Sequence, residues 1–262
     1  MIVIKNHNEC EDPINYLGFE ELSHLGKDCL FFYGGHANNI VFNPSDKPKY
    51  FFSTEEQSWD LDTTDNFLDH VEKIFTICPP NITNRKKREY VFFPFNEKFI
   101  PEKTEKIYDV IYCGLATGDH VTEILNTIKH FNYRFVSFVN NGITTNVNPT
   151  YVEKLKLISQ SKITVVHNLT GTGTTQIKTR PFEAAFSRSL ILCKKDQWNI
   201  IEEWFEPDKD FLYYDDGFEL DSLLKKIIND YGEYKNIVDS AYNKAINNYT
   251  TRHFIKKIFK LK

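Results

Sequence analysis

The chain has 262 residues, 41% hydrophobic and 26% charged, with a net charge of −4. That balance describes a globular protein, long enough for one large domain or two modest ones. It offers no overall attraction to nucleic acid. The cysteines at positions 10, 29, 78, 113 and 193 are scattered and lack a C-x-x-C pair. They read as reduced thiols of a cytoplasmic protein and not as a zinc site. The amino terminus, Met1-Ile-Val-Ile-Lys5, is too short for a signal peptide, and no apolar run reaches the length of a membrane span.

In chain order, the first hundred residues read as a small α/β unit. Met1 to Lys5, Cys29 to Tyr33, Tyr50 to Ser53, Lys73 to Ile77 and Tyr90 to Phe93 are predicted strands. Asp12 to Leu25 and Asn66 to Val71 are predicted helices. Phe95 to Lys106, with Pro101 and several charges, reads as the linker.

A second unit, residues 107–247, alternates strand and helix. Ile107 to Cys113 is a buried strand that ends at Gly114. Val121, Ile124, Leu125 and Ile128 are spaced as on a helix from Asp119 to Phe131. Tyr133 to Val139 is a strand, and Asn148-Pro-Thr150 opens a helix. Lys162 to His167 is a strand, followed by a loop from Asn168 to Thr175. Leu190 to Cys193 and Asp210 to Tyr214 are the last strands, and helices follow from Phe218. The expected fold class is α/β: two Rossmann-like domains with a cleft between them, the first abbreviated. Ligands of open α/β sheets sit beyond the carboxyl ends of the strands. Gly114, the loop ending at Thr175 and the segment that follows are therefore expected on one rim.

That segment, Lys178-Thr-Arg-Pro-Phe-Glu-Ala-Ala185, carries the most chemistry. Pro181 suits a first helical turn, and Thr179 is a candidate N-cap. Free backbone N–H groups at such a terminus, with Lys178 and Arg180, suit a pyrophosphate. Glu183 lies three residues beyond Arg180 on the same helix face. A carboxylate there suits sugar hydroxyls, and the plain alternative is a surface salt bridge between the two.

Together with Leu190-Ile-Leu-Cys193, Trp204-Phe-Glu-Pro207 and Phe211-Leu-Tyr-Tyr-Asp-Asp216, this segment resembles the carboxyl-terminal half of GT-B glycosyltransferases. The resemblance is to the spore-protein CgeB-like members of glycosyl transferases group 1. Tyr108 to Gly114 and Leu157 to Ile163 extend it upstream. It implies a metal-independent hexosyl- or pentosyltransferase that needs no cofactor beyond its nucleotide-sugar co-substrate. The acceptor would be a glycan, protein or lipid-linked hydroxyl. Glu183 would receive the ribose hydroxyls, and Arg180 and Lys178 would neutralise the leaving pyrophosphate. Gly114 would admit the donor closely, with Thr175 and Thr179 beside it. A second Glu found two turns earlier in many relatives is absent, since that stretch is Thr174-Thr-Gln176. A non-catalytic nucleotide-sugar or glycan-binding protein with a degenerate acceptor domain is the alternative.

On the acceptor side, His36 in Gly34-Gly-His36 and Glu56 in Thr54-Glu-Glu-Gln57 each follow a strand of the first unit and are the candidate general bases. An exposed turn histidine and an acidic helix start are the alternatives. His7, near the end of the first strand, could face the same cleft. Asp60-Leu-Asp62 matches the D-x-D of metal-dependent GT-A enzymes, but in the wrong place relative to the main sheet. The tail, residues 248–262, is basic and amphipathic. It either touches an anionic membrane peripherally or packs Phe254, Ile255, Ile258 and Phe259 back onto the first domain.

Overall fold

The computed structural model describes residues 1–5, 13–34, 45–54, 70–79, 87–115, 118–140, 142–170 and 173–261. The first sheet holds β1 (Ile2–Lys5), β2 (Leu30–Gly34), β3 (Lys49–Ser53), β4 (Lys73–Thr76) and β5 (Arg88–Tyr90). All pairings are parallel, and the spatial order repeats the chain order. Strands buried on both faces need apolar residues at successive positions. Thus Phe31, Tyr33, Phe52 and Phe75 face a central core, while Leu30, Phe32, Phe51 and Ile74 face outward into a smaller one.

The helix expected from Asp12 to Leu25 is not formed. The described part of that stretch has two 3₁₀ turns, Pro13–Tyr16 and Ser23–Leu25. Gly18 lies between them with φ +77°, and a Cβ there would come within 2.3 Å of the Asn96 amide nitrogen. Close packing of Asn96 at a left-handed glycine breaks the helical path. The helix expected at Asn66 to Val71 lies almost wholly outside the described residues.

The second sheet holds β6 (Tyr108–Cys113), β7 (Tyr133–Ser137), β8 (Asn146–Val147), β9 (Ser161–Val166), β10 (Leu190–Lys194) and β11 (Leu212–Tyr214). It is wholly parallel, in the order β11-β10-β9-β6-β7-β8. Its helices are α1 (Asp119–Ile128), α2 (Tyr151–Ser159), α3 (Thr179–Phe186), α4 (Gly217–Asn229), α5 (Lys235–Asn248) and α6 (Thr251–Phe259). Val110, Tyr112, Val165 and Leu192 pack against the apolar stripes of α1 and α4. Ile111, Val166 and Ile191 face the opposite way, into the core that contains Phe186, Ala241 and Ala245. A capping box starts α2. The Thr150 hydroxyl accepts from Glu153 N at 3.2 Å, and the Glu153 carboxylate accepts from Thr150 N at 2.9 Å. Both orphan donors are thereby satisfied.

The two units share one buried core. Ile177 N donates to Ile77 O at 3.0 Å, joining the units through backbone. Phe95 stacks on Phe186 with ring centroids 4.2 Å apart, and its N–H donates to Tyr249 O at 3.1 Å. After α5 the chain crosses back. Phe254 of α6 meets Phe52 at 4.8 Å and Phe19 at 5.5 Å, and Phe259 meets Tyr50 at 5.3 Å. The apolar stripe of α6 is therefore spent on packing, and Arg252, Lys256 and Lys260 are its exposed cations. Among the described residues no helix is long and apolar enough to cross a membrane.

Candidate active site

Strand order locates the site. The first sheet runs in sequence and never reverses. In the second, the chain leaves β6 towards β7 and β8, then returns to β9 on the other side. The ends of β6 and β9 diverge there, which opens a crevice at a topological switch point. Gly114 follows β6, His167 follows β9, and α3 begins at the same rim. With Thr54 and Ile77 of the first unit they border a cavity of about 200 Å³.

Gly114, Lys178, Thr179 and Arg180 all line that cavity. Thr179 is the first helical residue rather than the N-cap. Lys178 holds the N-cap position, and no side chain caps the helix. The first turn of α3 thus lacks the side-chain acceptor that usually occupies a helix start. Thr175 is buried in an antiparallel bridge with Leu169 and is not among the lining residues. His36, Glu56, His7, Asp60 and Asp62 lie outside the described residues. Of the candidate acceptor-side segment only Thr54 is described. It is 5% exposed, lines the cavity, and its hydroxyl has no hydrogen-bond partner.

Arg180 and Glu183 share a helix but not a salt bridge. Glu183 is 1% exposed and accepts from Lys154 Nζ of α2 at 2.8 Å. Its second oxygen has no partner. Burial of the carboxylate rules out the surface-pair reading. Glu183 borders a small gap beside Thr179 and Tyr151, and Lys154 is the member of the pair that reaches the main cavity.

Arg180 turns the other way. Its Nη1 lies 3.4 Å from His167 Nε2, and its guanidinium carbon sits 5.6 Å from the Tyr112 ring centre. Tyr112 Oη lies 2.9 Å from the same nitrogen. A guanidinium only donates, so Nε2 is the acceptor and the imidazole proton resides on Nδ1. His120 of α1 packs edge-on against His167, with centroids 4.5 Å apart. Gly114 carries φ +151°, and a Cβ there would fall 2.6 Å from Arg180 Nη2. The space beside Gly114 is therefore taken by the Arg180 side chain. At the outer end of the rim, Lys194 pairs with Glu123 at 2.6 Å, and Glu123 also accepts from Gly217 N at 2.8 Å.

Burial, reinforced by the charge of Arg180 and by His120 and Lys178, holds the His167 imidazole well below its ordinary 6.5. Burial, then Lys194 and Arg180, lowers His120 also. As pH falls below 6.5 the unfolded chain takes up a proton that folded His167 refuses, so stability drops. The expected slope from this residue is up to about 1.4 kcal/mol per pH unit, down to its folded pKa. Denaturant midpoints at pH 7.5 and 5.5 measure it. His167→Gln is expected to flatten that part of the dependence, and an unaltered slope would contradict the neutral assignment.

Tyr112, His120, Lys154 and His167 belong to the site without having been singled out by motif. His167 had a legible signal, a polar residue closing the apolar run Ile163-Thr-Val-Val166 at a strand's carboxyl end.

Two parallel α/β units with the crevice at the second sheet's switch point define the GT-B fold of glycosyltransferases. S. aureus TarM, bound to fondaparinux, alpha-GlcNAc-glycerol and UDP, superposes with a TM-score of 0.64 at 12% identity, covering 92% of this chain and 57% of TarM. Anabaena HepE, in complex with UDP and glucose, gives 0.62 at 10% identity, covering 93% and 80%. BGT of phage T4, with UDP and Mn2+, gives 0.59 at 14% identity, covering 99% and 98%. The chain thus spans little more than half the length of TarM. No curated protein matches it by sequence. The chain belongs to the glycosyl transferase-like family, whose model matches residues 124–260, more than half of its length.

Proposed function

We propose that this protein transfers a sugar from a nucleoside-diphosphate sugar to an acceptor hydroxyl, with the donor at the α3 terminus. The observation that carries this reading is Arg180, held at the crevice mouth beside an uncapped helix start, with Lys178 on the same wall. Negative charge grows on the β-phosphate as the glycosidic bond breaks. Donors already aimed at that charge stabilise the transition state more than the ground state. The partnerless oxygen of Glu183 supports a ribose contact. UDP in the TarM, HepE and BGT structures makes a uridine donor the first to test, and glucose in HepE makes a hexose the first sugar. The comparisons lend no support to a purely binding protein.

Cationic side chains and helix N–H groups meet the diphosphate charge in this reading, so activity is expected to persist in EDTA. The acceptor general base is assigned to Glu56 or His36. The four described cysteines are buried free thiols, which supports a reducing, cytoplasmic setting. Contact with an anionic membrane, for a lipid-linked acceptor, would rest on Arg252, Lys256 and Lys260.

A thermal-shift panel of UDP-, GDP-, ADP- and CMP-sugars tests the proposal. A ligand at 100 times its Kd adds about 2.7 kcal/mol, which for a chain of this size raises Tm by about 5–10 °C. One nucleotide class is expected to do so. No shift with any of them would overturn the reading.

Gly114→Ala offers a more local check. The added methyl must displace the Arg180 guanidinium, and the backbone is strained at φ +151°. Stability is expected to fall by about 1–3 kcal/mol and UDP affinity by about tenfold. Calorimetry showing unchanged affinity would mean that Arg180 does not need its observed position.

A further inference from the structure

We propose that His167 is a positioning residue for Arg180, holding the guanidinium ready at the crevice mouth before any ligand arrives. This rests on the donor-site reading and adds a residue that acts through Arg180.

Three contacts converge on the guanidinium. His167 Nε2 accepts from Nη1 at 3.4 Å. Gly114 leaves the space that Nη2 fills. The Tyr112 ring lies 5.6 Å beneath. His167 is itself fixed: it is 4% exposed, the Tyr112 hydroxyl reaches the same Nε2 at 2.9 Å, and the His120 ring abuts its face at 4.5 Å. Among the described residues no carboxylate pairs with Arg180, so a neutral nitrogen is what orients it. That choice has a chemical consequence. A carboxylate would orient an arginine more strongly, but it would also cancel the charge that an anionic ligand needs. A neutral imidazole directs the fork and leaves its full charge available. Freezing a long, rotamer-rich side chain in advance lowers the entropy lost on binding.

The test is a double-mutant cycle on the full chain, read by calorimetry with inorganic pyrophosphate, a probe that needs no knowledge of base or sugar. His167→Phe keeps the volume and removes the acceptor, and is expected to weaken binding about tenfold. His167→Gln, whose amide oxygen can accept, is expected to restore most of that loss. In an Arg180→Ala background, His167→Phe is expected to have no further effect, because its influence passes through the arginine. A merely structural histidine would show the same loss in both backgrounds, and that outcome would overturn the proposal. If His167→Phe does not fold, Tyr112→Phe takes its place in the cycle, with a smaller loss expected only when Arg180 is present. Equal losses with and without Arg180 would overturn it there too. If Arg180→Ala leaves pyrophosphate binding intact, the donor-site reading fails first and the positioning role with it. A loss with Arg180→Ala but none with either partner variant would overturn the positioning role alone.

Discussion

Arg180→Ala is expected to lower kcat/KM for the nucleotide sugar by a factor of about 100 to 1,000 while leaving the fold intact. The size follows from the role. A charge-assisted donor that is already aimed acts mainly on the transition state, so the loss should fall on kcat as well as KM. The fold should tolerate the change, because the side chain is half-buried and its polar contact among the described residues is with His167. Arg180→Lys is expected to recover little. An ammonium cannot reproduce the planar fork that spans the space beside Gly114 and the His167 nitrogen. Steady-state kinetics together with circular dichroism check both. A variant with near wild-type kcat/KM would remove Arg180 from the chemistry.

Lys154→Met is expected to be the most destabilising single change at the site, at about 3 kcal/mol. It strands a buried carboxylate whose second oxygen already lacks a partner. Glu183→Leu should cost less, because Lys154 is 14% exposed and can turn its ammonium into the cavity. The double variant should recover most of the Lys154→Met loss, since two apolar groups of similar volume can replace a buried pair. Denaturant unfolding measures all three. Lys154→Met within about 0.5 kcal/mol of wild type would mean that the pair contributes nothing. The double variant also separates stability from function. If Glu183 receives the ribose, a chain that folds well with Leu at that position still binds UDP poorly.

Much of the second unit was legible because its strands are unbroken apolar runs. Tyr108 to Cys113 and Leu190 to Lys194 declare themselves by composition, and the Val121–Ile128 spacing declares α1. The segment at α3 stood out for the same reason, as a proline-marked helix start flanked by cations. The first unit was harder. The helix expected over Asp12 to Leu25 fails at Gly18, where packing against Asn96, far along the chain, overrides local spacing.

The parts of the site that escaped the sequence are pairings across distance. Tyr112 and His167 stand 55 residues apart, and Lys154 and Glu183 stand 29 apart. Nothing local marks either pair. They meet only because β6 and β9 are neighbours and α2 packs beside α3, a consequence of strand order that periodicity does not encode. The i, i+3 spacing of Arg180 and Glu183 suggested one polar face. The fold instead turns one side chain into the core and the other to the crevice.

The central claim is that the α3 terminus drives sugar transfer from a nucleotide donor. The most direct measurement is release of nucleoside diphosphate from UDP-glucose and its GDP, ADP and CMP counterparts (nucleoside monophosphate for a CMP-sugar), by the wild type and by Arg180→Ala. Slow hydrolysis by water suffices when no acceptor is supplied. The account predicts release by the wild type with one nucleotide class and a loss of about 100-fold or more in the variant. Equal release by the two proteins, or none by either with every donor, would contradict it.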